Sequence, residues 1–286
     1  MQRFQDISPC RDAVLEARQR RLTIGLVPTM GALHAGHASL IMASRQRCDR
    51  TVVTIFVNPT QFGPNEDYLR YPKPIDADLA LCQAEGVDMV FQPSADAMYS
   101  TGSPTSIHVG ELTSTLCGPH RPGHFDGVAT VVAKLFNIVP AHVAFFGEKD
   151  YQQLMVVRRM VRDLNMPIEI VGCPTVRDPD GLAMSSRNAY LCPGDRRQAL
   201  SLSRALFAAR DAIGSGRRDV AAIVSQMHRT ILDAGPASID YVEIVDALTL
   251  QPLSTVDRPA RICLAVWIGS CRLIDNVGVD APVSPG

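Results

Sequence analysis

Leu22-Thr23-Ile24-Gly25-Leu26-Val27-Pro28-Thr29-Met30-Gly31-Ala32-Leu33-His34-Ala35-Gly36-His37 decides the fold. Leu22 to Val27 is an apolar run of strand type that stops at a proline. A loop with two glycines then carries two histidines three residues apart. Ala38 to Cys48 follows as a helix with Leu40 and Ile41 turned inward. Strand, glycine loop and helix start make a natural anion site, because free backbone N–H groups and the helix dipole both favour phosphate. Imidazoles placed there can donate to phosphate oxygens, so the stretch points to nucleotide chemistry. Two other roles stay open for the pair alone: ordinary histidines of a helix start, or zinc ligands. The zinc reading lacks a nearby cysteine or carboxylate at usual ligand spacing.

The same alternation runs outward to about residue 175. Thr51–Val57, Val87–Phe91, His142–Phe146 and Ile168–Gly172 read as strands. Arg11–Arg20, His37–Cys48, Ile75–Glu85, Gly127–Val139 and Tyr151–Leu164 read as helices. Apolar strands alternating with helices predict a Rossmann-like α/β domain with a mostly parallel sheet covered on both faces. Ligands of such sheets sit beyond the carboxyl ends of the strands. His34 and His37 follow the first strand, Asn58 and Gln61 the second, and Lys149 the His142–Phe146 run. Beyond about residue 190 the pattern changes: Gly194–Ala212 and Asp219–Ala234 look helical, and Ile239–Val245, Ile262–Trp267 and Arg272–Val277 look like antiparallel strands. The predicted domains are therefore 1–183 and a smaller α+β lid domain, 184–286. The Pro/Ser-rich tail after Val279 is expected to fray.

Composition narrows the function class. With 46% apolar residues the 286-residue chain can bury a large core, which argues against disorder. A net charge of -1 gives no sign of a general nucleic-acid binder. The 8 cysteines contain no C-x-x-C pair and sit in apolar segments, as expected of reduced thiols in the cytoplasm. Met1 to Arg11 lacks the apolar core of a signal peptide, and no run of about 18 apolar residues points to a membrane span.

Three further polar stretches accompany the histidine loop. Gly147-Glu148-Lys149-Asp150 ends one apolar run and opens a helix. There Asp150 is a good N-cap and Gln153 its capping-box partner. Lys149 supplies a point charge for phosphate, and Gln153 either caps the helix or faces a ligand. Thr175 to Asn188 is a polar loop in which Ser185, Ser186 and Arg187 offer two hydroxyls and a guanidinium. It is either a turn-rich linker or a lid closing over a triphosphate. Asn58-Pro59-Thr60-Gln61 is either a rigid turn or the place where Gln61 orients a small polar substrate. His120, Arg121 and His124 make a further polar loop to which the sequence assigns no role.

Together these segments resemble the pantoate–β-alanine ligase (pantothenate synthetase) family. The likeness lies in P-T-M-G-x-L-H-x-G-H at 28–37, F-V-N-P-x-Q-F at 56–62, G-E-K-D-x-Q-Q-L at 147–154 and D-G-L-A-M-S-S-R-N at 180–188. Asp240–Asp246 and Arg272–Asn276 carry it into the C-terminal part. The H-x-G-H and M-S-S-R segments also resemble the paired signatures of the wider nucleotidyltransferase superfamily. The resemblance implies an ATP-dependent ligase that first forms pantoyl adenylate and pyrophosphate. The amine of β-alanine then displaces AMP to give pantothenate. It implies nucleotide binding by Met30, Gly31, Ala32, Leu33, His34, Ala35, Gly36 and His37, with Gly147, Glu148, Lys149, Asp150, Val176, Met184, Ser185, Ser186 and Arg187. Catalytic roles fall to His34, His37, Lys149, Ser185, Ser186 and Arg187. Asn58, Gln61 and Gln153 are expected at pantoate, with Gln61 later meeting β-alanine. The neutral glutamines speak against a phosphorylated acceptor, and so against a plain nucleotidyltransferase. Some relatives carry paired acidic residues for Mg²⁺ where this chain reads Asp76-Ala77-Asp78. Asp78 is the one metal candidate left, and the ion would otherwise be held mainly by ATP and water. A homodimer is the implied assembly.

Overall fold

The computed structural model describes residues 1–64, 66–100 and 103–280. The tail expected to fray beyond Val279 falls, from residue 281 on, outside the described residues. The chain divides into two compact units. The first comprises Met1–Val109, Arg121–Glu148 and Gln153–Val176; the second comprises Gly110–His120, Lys149–Gln152 and Arg177–Gly286.

The first unit is a doubly wound parallel sheet. In chain order its elements are β1 (Gln2–Phe4), α1 (Ile7–Gln19), β2 (Ile24–Thr29), α2 (Ala35–Arg47), β3 (Arg50–Ile55), α3 (Ile75–Ala84), β4 (Met89–Phe91) and α4 (Ala95–Met98). After a helical turn that belongs to the other unit, α5 (Cys117–His120), come α6 (His124–Ile138), β5 (Val143–Gly147), α7 (Tyr151–Asp163) and β6 (Glu169–Cys173). The spatial order is β1-β4-β3-β2-β5-β6, with every neighbouring pair parallel. The apolar run ending at Val27 becomes β2 at the centre of the sheet, and every β2 residue except Pro28 is buried. Burial on both faces is why the strand reads as a continuous apolar run rather than an alternation. Leu40 and Ile41 of α2 and Leu79 and Cys82 of α3 pack with Val27, Val53, Val90 and Phe145 of the sheet. The sequence misses β1, because three residues with two polar side chains carry no strand signal.

The second unit holds α8 (Pro193–Gly214), α9 (Val220–Leu232) and the antiparallel strands β7 (Ser238–Asp246), β8 (Ala260–Ile268) and β9 (Cys271–Val279) in the order β7-β8-β9. Leu202, Leu206, Ile223, Met227 and Ile231 of the two helices share a core with Val242, Ile244, Ile262 and Leu264 of the sheet. On the opposite face of the sheet Tyr241, Cys263 and Ala265 are buried too. Cys117 reaches Tyr241 at 3.2 Å between sulfur and hydroxyl oxygen, and the Arg261 guanidinium lies 4.1 Å over the Tyr151 ring. All 8 cysteines are free thiols. Among the described residues no helix is long and apolar enough to cross a membrane.

Candidate active site

The β2–α2 loop turns sharply because Gly31 and Ala32 both adopt left-handed backbone, at φ 83° and 50°. Glycine takes this conformation readily, whereas for Ala32 it is strained. Asp78 of α3 holds the strained turn. Its two carboxylate oxygens accept the amides of Ala32 (2.9 Å) and Leu33 (2.7 Å), and the residue is only 2% exposed. Burial pushes the Asp78 carboxyl above the ordinary carboxylate range, against the two amide bonds that lower it. The Thr29 hydroxyl adds a third tie, donating to the Thr54 carbonyl and accepting the Gly31 amide.

His34 and His37 cap α2 reciprocally. Nδ1 of His34 accepts the Gly36 amide at 3.1 Å, and Nδ1 of His37 accepts the His34 amide at 3.2 Å. The rings lie 4.2 Å apart by centroid. A nitrogen that accepts an amide carries no proton, so in the neutral rings the donor is Nε2–H. The sequence implied free backbone amides here. Instead those of Ala32, Leu33, His34 and Gly36 all bond within the loop and its cap. What the loop presents as donors is imidazole rather than amide. The sequence treated capping and ligand binding as alternatives for these histidines, but the two nitrogens of each ring separate those roles.

Gln61 sits in the 3-10 turn Pro59–Gln61 that follows β3, and it is 8% exposed. Its Oε1 accepts from Asn58 Nδ2 at 3.1 Å, and its Nε2 meets Met30 Sδ at 3.1 Å, a weak acceptor. Asn58 is 1% exposed. Its Nδ2 also donates to the Gly127 carbonyl, and its Oδ1 accepts from Thr60 and from the Tyr99 hydroxyl. The polar loop without an assigned role grips the same turn. His124 Nδ1 lies 2.8 Å from the Gln61 carbonyl, and Arg121 contacts His124 Nε2 while forming a two-pronged ion pair with Glu66. A carbonyl can only accept, so His124 Nδ1 carries the proton. Gly127 permits this arrangement by its lack of a side chain, since a Cβ there would lie 2.4 Å from the Thr60 carbonyl oxygen.

Gln153 does not act as a cap. Asp150 lies in a 3-10 turn, Glu148–Asp150, ahead of α7, and no Gln153 side-chain hydrogen bond forms among the described residues. The structural glutamine is its neighbour Gln152, 7% exposed in the second unit. It donates to the carbonyls of Leu112 and Thr115 and accepts the Cys117 amide.

Lys149 and the Met184–Arg187 segment belong to the second unit. Lys149 is 19% exposed, with Nζ 3.6 Å from Asp150 Oδ1. Arg177 and Ala183 pair as an antiparallel bridge, so residues 177–183 form a hairpin that delivers Met184 to Arg187. Ser185 starts the 3-10 turn Ser186–Tyr190 by accepting the Arg187 amide at 3.3 Å. Arg196 of α8 fastens the hairpin through Asp178 and Asp180. In each unit, taken by itself, the candidate loops are thus tied at several points to regular elements, which suits groups that must be held in fixed geometry.

A sequence profile of the family described as Pantoate-beta-alanine ligase matches residues 2–278. The chain belongs to this family. Among curated relatives, the pantothenate synthetase of Moorella thermoacetica is 54% identical over 280 residues, 98% of this chain and 99% of its own length. That of Thermotoga petrophila is 53% identical, covering 91% of this chain and 93% of its own. A pantothenate synthetase structure from Thermus thermophilus superposes with a TM-score of 0.92 at 47% identity, covering 97% of this chain and 99% of that one. The pantoate-beta-alanine ligase of Francisella tularensis, solved in complex with β,γ-ATP and β-alanine, gives 0.80 at 35% identity, covering 97% of each chain.

Among the described residues no group of three or more His, Cys, Asp or Glu side chains is placed to hold an ion. Asp78, the single candidate, has both oxygens engaged by the loop it supports. No all-protein cage for Mg²⁺ is therefore formed among the described residues, and any ion would rely mainly on phosphate and water ligands.

Proposed function

We propose that the residues above divide the two half-reactions of this ligase among themselves as follows. The enzyme joins pantoate and β-alanine at the expense of ATP, through pantoyl adenylate. In the first step a pantoate carboxylate oxygen bonds to the α-phosphorus of ATP, and the bond to the bridging oxygen breaks to release pyrophosphate. Both reactants are anionic, so the step needs donors and cations near the phosphates more than it needs a base. His34 and His37 donate through Nε2. Lys149 and Arg187 supply fixed charge, with Ser185 and Ser186 as hydroxyl donors. Backbone and side-chain atoms of Met30–Leu33, Ala35, Gly36, Gly147, Glu148, Asp150, Val176 and Met184 complete the contacts to ATP. In the second step the β-alanine amine attacks the activated carbonyl, the bond to AMP breaks, and the amine releases a proton as the amide forms.

Gln61 and Gln153 bind pantoate. Asn58 acts one step away: its polar atoms are engaged by Thr60, Gln61, Tyr99 and Gly127, so it fixes Gln61 rather than meeting substrate. Mg²⁺ comes bound to the triphosphate and water, while Asp78 serves the loop. The family resemblance supports residues 184–286 as a lid and a cytoplasmic homodimer as the working form.

The observation that carries these roles is the reciprocal histidine cap, which leaves each ring in the Nε2–H form. The test is pyrophosphate release on mixing the protein with ATP, Mg²⁺ and pantoate. Pantoate-dependent release is expected before β-alanine is added. Release that ignores pantoate, or that does not occur until β-alanine arrives, would refute the adenylate route for this chain.

A further inference from the structure

The two cationic segments of the second unit, Lys149 and Met184–Arg187, lie outside the long helices and the sheet, yet both trace back to one strand. On β9, Asn276 is 6% exposed and Asp275 is 4% exposed. Asn276 Nδ2 donates to the backbone carbonyl of Lys149 at 2.8 Å, and its Oδ1 accepts from Arg261 Nε at 2.6 Å. That arginine covers the Tyr151 ring, whose hydroxyl donates in turn to the Ala247 carbonyl. The backbone at 149–151 is thereby held by its carbonyl and by its aromatic ring.

Asp275 performs the matching task for the other segment. Its oxygens take Arg177 Nη1 at 2.6 Å and Nη2 at 2.9 Å, and Oδ1 also accepts the Asn276 amide at 2.7 Å. Arg177 opens the hairpin that runs into Met184, spans it by donating to the Gly181 carbonyl, and packs 4.9 Å over the Phe207 ring of α8. At the start of β9, Cys271 Sγ lies 3.9 Å from the Arg187 carbonyl. Successive residues of a strand face opposite sides, so this dipeptide grips one segment from each face of β9.

A buried amide aimed at a loop carbonyl and a buried carboxylate facing a guanidinium are poor choices for stability alone, since apolar replacements often serve as well. They are good choices for fixing two backbones against one another. Lysine in particular has a flexible four-carbon stem, so its charge is placed only as well as its Cα. We propose that Asp275 and Asn276 are positioning residues for adenylation, bracing the Lys149 turn and the Arg187 loop on a single strand. This rests on the roles given above to Lys149 and Arg187.

Asn276→Asp tests the brace at one atom. It keeps an oxygen for Arg261 but removes the donor to the Lys149 carbonyl and sets a carboxylate against it. Misplacement of a reacting group by about 1 Å is enough for about a 100-fold loss. The expected result is a fall of about 10- to 100-fold in the rate of pantoate-dependent pyrophosphate release, with KM for pantoate unchanged. Amide formation from supplied pantoyl adenylate and β-alanine should stay within about twofold of the parent enzyme. A parallel fall in both half-reactions would mean general damage to the unit, and no fall in either would mean an idle hydrogen bond; each overturns the proposal. Should Asn276→Asp fail to give a cooperative thermal transition, Asp275→Asn replaces it, with the same split between half-reactions expected and the same outcomes decisive. Absence of pantoate-dependent release in the parent enzyme would instead count against the proposed function.

Discussion

Gly127→Ala sets two effects of known size against each other. Alanine is the better helix former by up to about 1 kcal/mol, and Gly127 lies in α6. Against this, the new Cβ would sit 2.4 Å from the Thr60 oxygen, 2.6 Å from its carbonyl carbon and 2.7 Å from the Gln61 nitrogen. These are backbone atoms, which no rotamer change can move aside. Ordinary contact begins near 3.4 Å, so helix and turn must part by about 1 Å. Overpacking of this kind costs about 1–3 kcal/mol, and weakening the Asn58–Gly127 bond adds about 1 kcal/mol. Only the first turn of α6 is involved, so the propensity gain is at most partial and the net effect is destabilising by about 1–3 kcal/mol. The separation also moves Gln61. KM for pantoate should rise by about 10-fold or more, while ATP binding measured without pantoate stays unchanged. Urea unfolding and the pyrophosphate assay read the two consequences separately. A variant at least as stable as the parent, with unchanged KM for pantoate, would show that the close approach at 60–61 does not constrain Gln61.

The remaining predictions concern the loop that Asp78 and the histidines organise, and the thiols. His37→Ala and His37→Asn should both slow single-turnover adenylate formation by about 100-fold or more. Only alanine should also lose about 1 kcal/mol of stability, because asparagine can still accept the His34 amide; an asparagine variant with parental single-turnover rate would leave His37 a purely structural role. For Asp78 the folded carboxyl holds its proton more tightly than the unfolded one, so its contribution to stability is full below the unfolded value and lost as pH rises through the folded one. The stability gap between the parent and Asp78→Asn, followed by urea midpoints, should therefore be widest below about pH 4 and narrow toward neutrality. A gap that widens with pH would mean that the two amide bonds outweigh burial. Cys192 is the exposed thiol, whereas burial pushes Cys10 up to about 12 and Cys82 up to about 11. Mass spectrometry after brief alkylation near neutral pH should find Cys192 labelled first, and early labelling of Cys10 or Cys82 would contradict the packing around them.

The sequence revealed whatever rests on short-range pattern. Leu22–Val27 reads as a buried parallel strand because both of its faces need apolar side chains. Pro28 and the glycines mark the loop, and the strand–helix alternation places its ends at one edge of the sheet. The H-x-G-H, G-E-K-D and M-S-S-R segments were visible because each is contiguous. What stayed hidden depends on contacts across the chain. Asp78 lies 46 residues from Ala32, and nothing local distinguishes a carboxylate that holds a turn from one that binds an ion. Gln152 and Gln153 are neighbours of one residue type, yet consecutive helix positions diverge by about 100°, and only packing decides which is buried. Arg121 and His124 were visible as polar residues without a task, since their partner Gln61 lies about 60 residues earlier.

The division of the chain has a consequence for its synthesis. The backbone passes between units at 109/110, 120/121, 148/149, 152/153 and 176/177. Cys117 and Tyr151, which meet Tyr241 and Arg261 of the C-terminal sheet, leave the ribosome well before that sheet is made. Neither unit is therefore a separable length of polypeptide. A fragment starting at Arg177 would lack those side chains, and a nascent chain halted before β9 would have made Lys149 without the asparagine that holds it. The loop between β2 and α2 can form early in translation, but the lysine turn can reach its final state only after the last strand has emerged.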